Sequence, residues 1–306
     1  MSVVQIESVA NQAWSFWRMM SEVSPRVIRE EMTRDFRLGI VGAEEDRQWF
    51  LDRLLPLTAT RVEREDGKER FYLLDSPPEE GISEVSAATF YVLGPDEPIG
   101  ARGVKCAPYV GNFEEVISWI AQSRPTQLVA FGRYLPGMRP VVAQRLILNA
   151  SSNNARFAFL SALPWILPVS LPFLPASSAV DVFVLTKNQA MLVMRLAAAH
   201  GHPPGYTQQV KEILGTVAGA MGWRLLAREL AGMIPAGIGV AAKTAIAYSG
   251  TITVGKAALF YYQKGRQMSA EEIREVHKES EAAAKAEAER VVANPPTPDD
   301  LTDLEL

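Results

Sequence analysis

The run FAFLSALPWILPVSLPFLPASSAV, from Phe157 to Val180, extends for 24 residues without a charge. A stretch of that length and apolarity ordinarily crosses a bilayer as a helix. Pro164, Pro168, Pro172 and Pro175 stand against it. Each removes a backbone donor and clashes with the preceding turn, and lipid cannot satisfy the groups set free. The neighbouring segments are therefore expected to be helices that bury one another or lie against lipid.

The downstream sequence fits that expectation. NQAMLVMRLAAAHG has helical spacing and stops at Gly201, a helix-ending glycine, before the turn HPPGY. QQVKEILGTVAGAMGWRLLARELAG and IPAGIGVAAKTAIAYSGTITVGKAALFYYQKG follow, both dense in Gly and Ala. Their longest charge-free runs are 13 residues (Leu230 to Ala242) and 12 residues (Thr244 to Gly255), short of a span unless Lys243 and Lys256 snorkel. Within the second lies GTITVGKA, Gly250 to Ala257, one hydroxyl short of the phosphate-binding pattern G-x-x-x-x-G-K-[ST]. Ala257 cannot hold a magnesium ion, and IGVAAKTAIAYS before it lacks the alternation of a strand. The segment reads as a helix of small side chains. SAEEIREVHKESEAAAKAEAER predicts a solvated helix with Glu281 and Lys285 four apart, and NPPTPDDLTDLEL a disordered acidic tail.

Upstream the texture differs. Gln5 to Met32 places Val9, Ala13, Phe16, Trp17 and Met20 at helical spacing and predicts an amphipathic helix packed on a core, a partner or lipid. FRLGIVG reads as a buried strand and EEDRQWFLDRLL as a helix with Trp49, Phe50 and Leu54 on one face. TATRVERED and KERFYLLD predict two strands joined by a hairpin at Asp66-Gly67. ATFYVLG, TQLVAFG and RLILNAS predict further strands, and NFEEVISWIAQS a helix. This alternation predicts an α/β domain with a mainly parallel sheet covered on both faces.

The order of these elements resembles a Ras-like or Era-like GTPase domain, in which the strand ending at Gly42 would lead into the phosphate loop. The positions of that loop's second glycine, lysine and hydroxyl are then held by Arg47, Gln48 and Trp49. Glu44, Glu45 and Asp46 would repel phosphate. In the D-x-x-G loop the resemblance assigns Asp75 as the aspartate, but Pro78 replaces the glycine and has no N–H to offer. The guanine-reading loop corresponds to Gly132, Arg133, Tyr134 and Leu135, with no carboxylate, and Ala150-Ser151 is a faint counterpart of the last loop. The resemblance thus implies a pseudoGTPase.

In the second half, Pro175 precedes an apolar segment containing Asp181, Gln189 and Met191 precede RLAAAHG, Pro235 and Gly237 form the turn IPAGIG, and Thr253 and Gly255 precede the aromatic pair Tyr261-Tyr262. Across Leu160 to Gly265 this is similar to the YcjF-like family of GTPase-associated helical domains. In that family the helical domain follows an Era-like GTPase or stands as a membrane-associated protein. The resemblance implies that GTITVGKA is the family's Thr/Gly hairpin.

Composition narrows the function. A net charge of -4, from 31 basic and 35 acidic side chains, gives no electrostatic footprint for nucleic acid. Cys106 is the single cysteine, which excludes an internal disulfide or thiolate cluster and suits a small apolar residue in a reducing compartment. The start lacks a secretory signal's basic and apolar regions. His200, His202 and His277 lack metal-site spacing, and the first two are expected to cap a helix. Asp181 is expected to bond backbone or Lys187.

The expected organisation is an N-terminal helix (1–33), a degenerate GTPase-like α/β domain (34–153), a helical domain (154–267), and a charged helix with an acidic tail (268–306). The expected function is non-enzymatic and without cofactor or metal: a pseudoGTPase adaptor or scaffold that binds protein, its own copies or a membrane. Its expected place is the cytoplasm or the inner face of a membrane. A GTPase with unorthodox loops and a soluble helical oligomerisation module remain open alternatives.

Overall fold

The computed structural model describes residues 25–75, 90–93, 106–108, 113–162, 178–203, 210, 213–217 and 239–297, with backbone alone for 90–93, 106–108 and 178–183. Residues 5–24 of the helix expected over Gln5 to Met32, the proline run from Pro164 to Pro175, Pro78, Pro235, Gly237, the side chain of Asp181 and the acidic tail from residue 298 lie outside it. The chain divides into two compact units, Arg26–Arg145 with Ala197–Pro204, and Met1–Pro25 with Leu146–Leu196 and Gly205–Leu306.

The first unit begins with α1 (Pro25–Thr33), which buries Ile28 and Met32. β1 (Leu38–Val41) is buried along its whole length, as a run LGIV flanked on both sides requires. α2 (Glu44–Leu54) follows, burying Phe50 and Leu54, then α3 (Arg61–Lys68) and β2 (Phe71–Leu74). β3 (Phe90–Leu93) and β4 (Cys106–Pro108) complete a sheet of order β2-β1-β3-β4 in which every pair is parallel. α4 (Phe113–Ser123) buries Val116, Ile117, Ile120 and Ala121. α5 (Leu128–Tyr134) lies between single turns at Pro125–Gln127 and Pro136–Met138.

A Ras-like α/β domain with a mainly parallel sheet is not what this sequence builds. Helix dominates, and the strands are short parallel pieces of three or four residues. Three expected strands are helical. TATRVERED forms α3, because Thr60 and Glu63 make a reciprocal capping box that fixes a helix start. Gly67 then serves close packing rather than a hairpin: a Cβ there would lie 2.5 Å from Leu55 Cδ2 and 2.6 Å from the Tyr134 carbonyl oxygen. TQLVAFG becomes α5, buried continuously from Leu128 to Gly132; a short apolar run carries no period that separates buried helix from buried strand. RLILNAS lies inside α6 (Arg139–Ser161), a helix of 23 residues that also runs through position 153.

The second unit is built from the rest of α6, α7 (Ser178–Ala199), α8 (Val240–Lys264) and α9 (Ala270–Ala293). GTITVGKA is neither phosphate loop nor hairpin but the middle of α8, buried from Thr251 to Gly255. α8 stops at Gly265, whose φ of 68° is the left-handed cap and whose N–H reaches the Tyr261 carbonyl at 2.8 Å. α9 starts on a capping box of Ser269 and Glu272 and turns Ile273, Ser280, Ala284, Ala288 and Val291 inward. Its other faces carry the charges, as expected of a solvated helix.

Candidate functional site

Two of the degenerate loop positions meet. Arg47 projects from the first turn of α2 and Asp75 follows β2, and Arg47 Nη1 donates to Asp75 Oδ1 at 2.5 Å. The guanidinium is 13% exposed and the carboxylate 95%, so water screens the pair and its worth is at most about 1 kcal/mol. Gly42 has a φ of 131°, a conformation that side chains resist, and its N–H goes to the Leu74 carbonyl at 3.1 Å. It makes the turn from β1 into α2.

The other loop positions are engaged locally. Gln48 Nε2 donates to Asp52 at 2.7 Å. Trp49 lies under the Arg53 guanidinium, 3.5 Å from its ring centre, and edge-on to Phe113. Arg133 sits on α5 with its guanidinium 5.7 Å from the Tyr134 ring, which Arg70 also faces at 4.1 Å. The carboxylates Glu44, Glu45 and Asp46 fill the first turn of α2, where they suit the helix dipole and oppose an anion.

The same unit holds a cluster that the sequence did not announce. Glu63 caps α3 through Oε2, which accepts from the Thr60 N–H and hydroxyl at 2.8 Å each. Its Oε1 pairs with Arg139 Nη2, and both side chains are largely covered. Arg139 Nε donates to the Gly132 and Ala199 carbonyls at 3.1 Å each. One guanidinium thereby ties α3, α5, α6 and the end of α7. Burial opposes the Glu63 charge, but the hydrogen bonds from Arg139 and Thr60 outweigh it and hold the carboxyl below its ordinary value. Burial, then the Arg139 charge, lower His202. Gly201, as expected, ends α7: its φ is 86°, and the N–H groups of Gly201 and His202 return to the Ala198 and Ala197 carbonyls.

In the helical unit the described motif residues cluster around α8. Asn154 of α6 is fully buried; its Nδ2 donates to Thr251 Oγ1 at 2.8 Å, and its Oδ1 accepts from Asn188 Nδ2 at 2.8 Å. Gln189 Nε2 reaches the same Thr251 hydroxyl at 3.4 Å. Thr251 donates back to the Ala247 carbonyl, and Thr253 to that of Ser249. Met191 is buried. Gly255 admits its neighbours closely: a Cβ there would lie 2.7 Å from Ile147 Cγ1 and 3.1 Å from Leu192 Cδ2. The arrangement links three helices through buried hydroxyls and amides whose hydrogen bonds are made internally. It fixes helix register and presents no group for general acid or base work.

Comparison with protein-family models, curated proteins and solved structures gives no match for this chain.

Proposed function

We propose that this chain is a non-enzymatic adaptor or scaffold whose helical unit associates with copies of itself, with another protein or with a membrane surface. The observation that carries this is that, among the described residues, the polar side chains of the candidate sites engage one another. Arg47 takes Asp75, Glu63 takes Arg139, Asn154 and Gln189 both reach Thr251, and Asn188 donates to Asn154. Such groups hold elements in place. The family resemblance of the helical motif points the same way. A pseudoGTPase role would need a Ras-like domain, which is not evident in this mainly helical chain with its short strands.

Among the described residues no helix is long and apolar enough to cross a membrane. The first experiment combines light scattering of the full-length chain over a concentration series with fractionation and an alkaline carbonate wash. A mass that is a multiple of 33.6 kDa, a stable co-purifying protein, or retention with membranes supports the proposal. A concentration-independent monomer with none of these, showing saturable nucleotide binding that Asp75→Ala abolishes, would replace it with a nucleotide switch. A truncation after Asn153 is unsuitable, because it cuts α6.

A further inference from the structure

The two ends of α9 are held by different means. At the joint with α8 the fastening is dense. Arg266 forks onto Glu272, Nη1 to Oε2 at 3.0 Å and Nη2 to Oε1 at 2.8 Å, and its guanidinium lies 4.5 Å from the centre of the Phe260 ring. Thr216 Oγ1 donates to Gln267 Oε1 at 2.7 Å. Ile273 is fully buried, and one turn further His277 meets Thr253 of α8 at 3.2 Å.

Beyond Ser280 the interior thins. Ala284 and Ala288 bring one methyl group each, and Val291 is the last buried side chain of the helix. It clusters with Phe159 and Leu160 of α6, and Val240 of α8 packs against the three. Ser152 of α6 reaches the Glu287 carboxylate, whereas Arg290 pairs with Glu287 along α9 itself and would travel with it. In α7, by contrast, Met191, Leu192, Val193 and Met194 are buried in succession. An element with few buried apolar groups opens at lower free energy than its unit. α9 also needs no neighbour to be helical: it starts on a capping box, is rich in Ala, Glu, Lys and Arg, and its 24 residues exceed the length at which lone helices begin to hold.

We propose that α9 is a hinged strap, fixed at Gly265–Ser269 and latched by Val291, whose opening uncovers Phe159 and Leu160 while the rest of the helical unit stays folded. Both residues stand at the start of the charge-free run from Phe157 to Val180. The closed strap therefore withholds apolar surface that the open one offers. Val291→Ala takes two methyl groups from the latch and should raise the open population about tenfold.

The test uses the full-length chain with Cys106→Ser and one new thiol at a time, Leu160→Cys, Ala284→Cys or Met191→Cys, all at buried positions. The rate at which a thiol reagent modifies each is followed against urea, whose slope reports the surface exposed in the opening. Positions 160 and 284 should share a shallow slope, and position 191 should show the steep slope of whole-unit unfolding. Val291→Ala should speed labelling at 160 and 284 about tenfold; no acceleration removes Val291 as the latch. Equal slopes at all three positions overturn the strap, as does a steep slope at 284 beside a shallow one at 160, which is α6 fraying alone. Labelling at 160 that rises only on dilution means that a second copy covered it, which overturns the strap and leaves the association proposed above standing. Wild-type amide exchange over Ala284 to Val291 with the urea slope of α7 overturns the strap even if no variant folds.

Discussion

Thr251 and Thr253 stand two residues apart on α8 and hydrogen-bond in different directions, Thr251 with Asn154 of α6 and Gln189 of α7, Thr253 with His277 of α9. At 3.6 residues per turn, two positions lie about 200° apart around the helix. Each hydroxyl also donates to a carbonyl one turn back, which satisfies a buried hydroxyl without help from solvent.

Thr251→Val should destabilise the helical unit by about 1–3 kcal/mol, because it leaves the buried Asn154 amide without its 2.8 Å partner. Urea unfolding measures the loss. In a double-mutant cycle with Asn154→Leu, the pair should cost less than the sum of the single changes; additive costs would show that the two side chains do not cooperate.

Gly255→Ala should cost about 1–3 kcal/mol through overpacking against Ile147. In a double-mutant cycle the same change should cost less on an Ile147→Ala background, which removes the Cγ1 and Cγ2 that an added Cβ would meet at 2.7 and 3.1 Å. A thermal melt in which Gly255→Ala matches wild type would mean that α6 gives way easily.

Glu63→Ala removes the carboxylate half of the α3 capping box, leaving Thr60 as the N-cap, and takes away the Arg139 partner, so it should destabilise the unit by about 1–3 kcal/mol. The folded Glu63 carboxyl is held below its ordinary 4.5, so its contribution is present above that value and lost as pH falls through the folded one. Urea midpoints of wild type and Glu63→Gln should therefore converge in acid. A gap that persists unchanged would assign the effect to shape rather than charge.

Asp75→Ala should change stability by less than about 1 kcal/mol, as an exposed ion pair does. Gly42→Ala, by contrast, imposes a φ of 131° on a side chain and should cost about 1–3 kcal/mol. Chemical denaturation of both variants checks the ranking, and a larger loss at Asp75 would reverse it.

What the sequence made legible was amphipathic or punctuated. α2 shows its apolar face, Gly201 ends α7 where its spacing places it, and α9 carries charge on every face but one. The strand expectations failed where burial erased the period: Leu128 to Gly132 is apolar throughout, and such a run looks alike as helix or strand. α3 was missed for another reason, since Thr60 and Glu63 announced a capping box that the Asp66-Gly67 turn signal masked. The Glu63–Arg139 pair joins positions 76 apart, and no local pattern could have linked them. Gln189, Thr253 and Gly255 were singled out by resemblance, and the structure gives each a packing role around α8.

The Asn154–Thr251 bond has a consequence in time. Its partners are 97 residues apart in the chain, so during synthesis the amide leaves the ribosome long before the hydroxyl that satisfies it exists. Contacts of such sequence separation are slow to close, and apolar surface waiting for them invites aggregation. Until α8 emerges, the growing polypeptide carries α6 and α7 as an unfinished half, and its yield in a cell should depend on translation pace and chaperone supply.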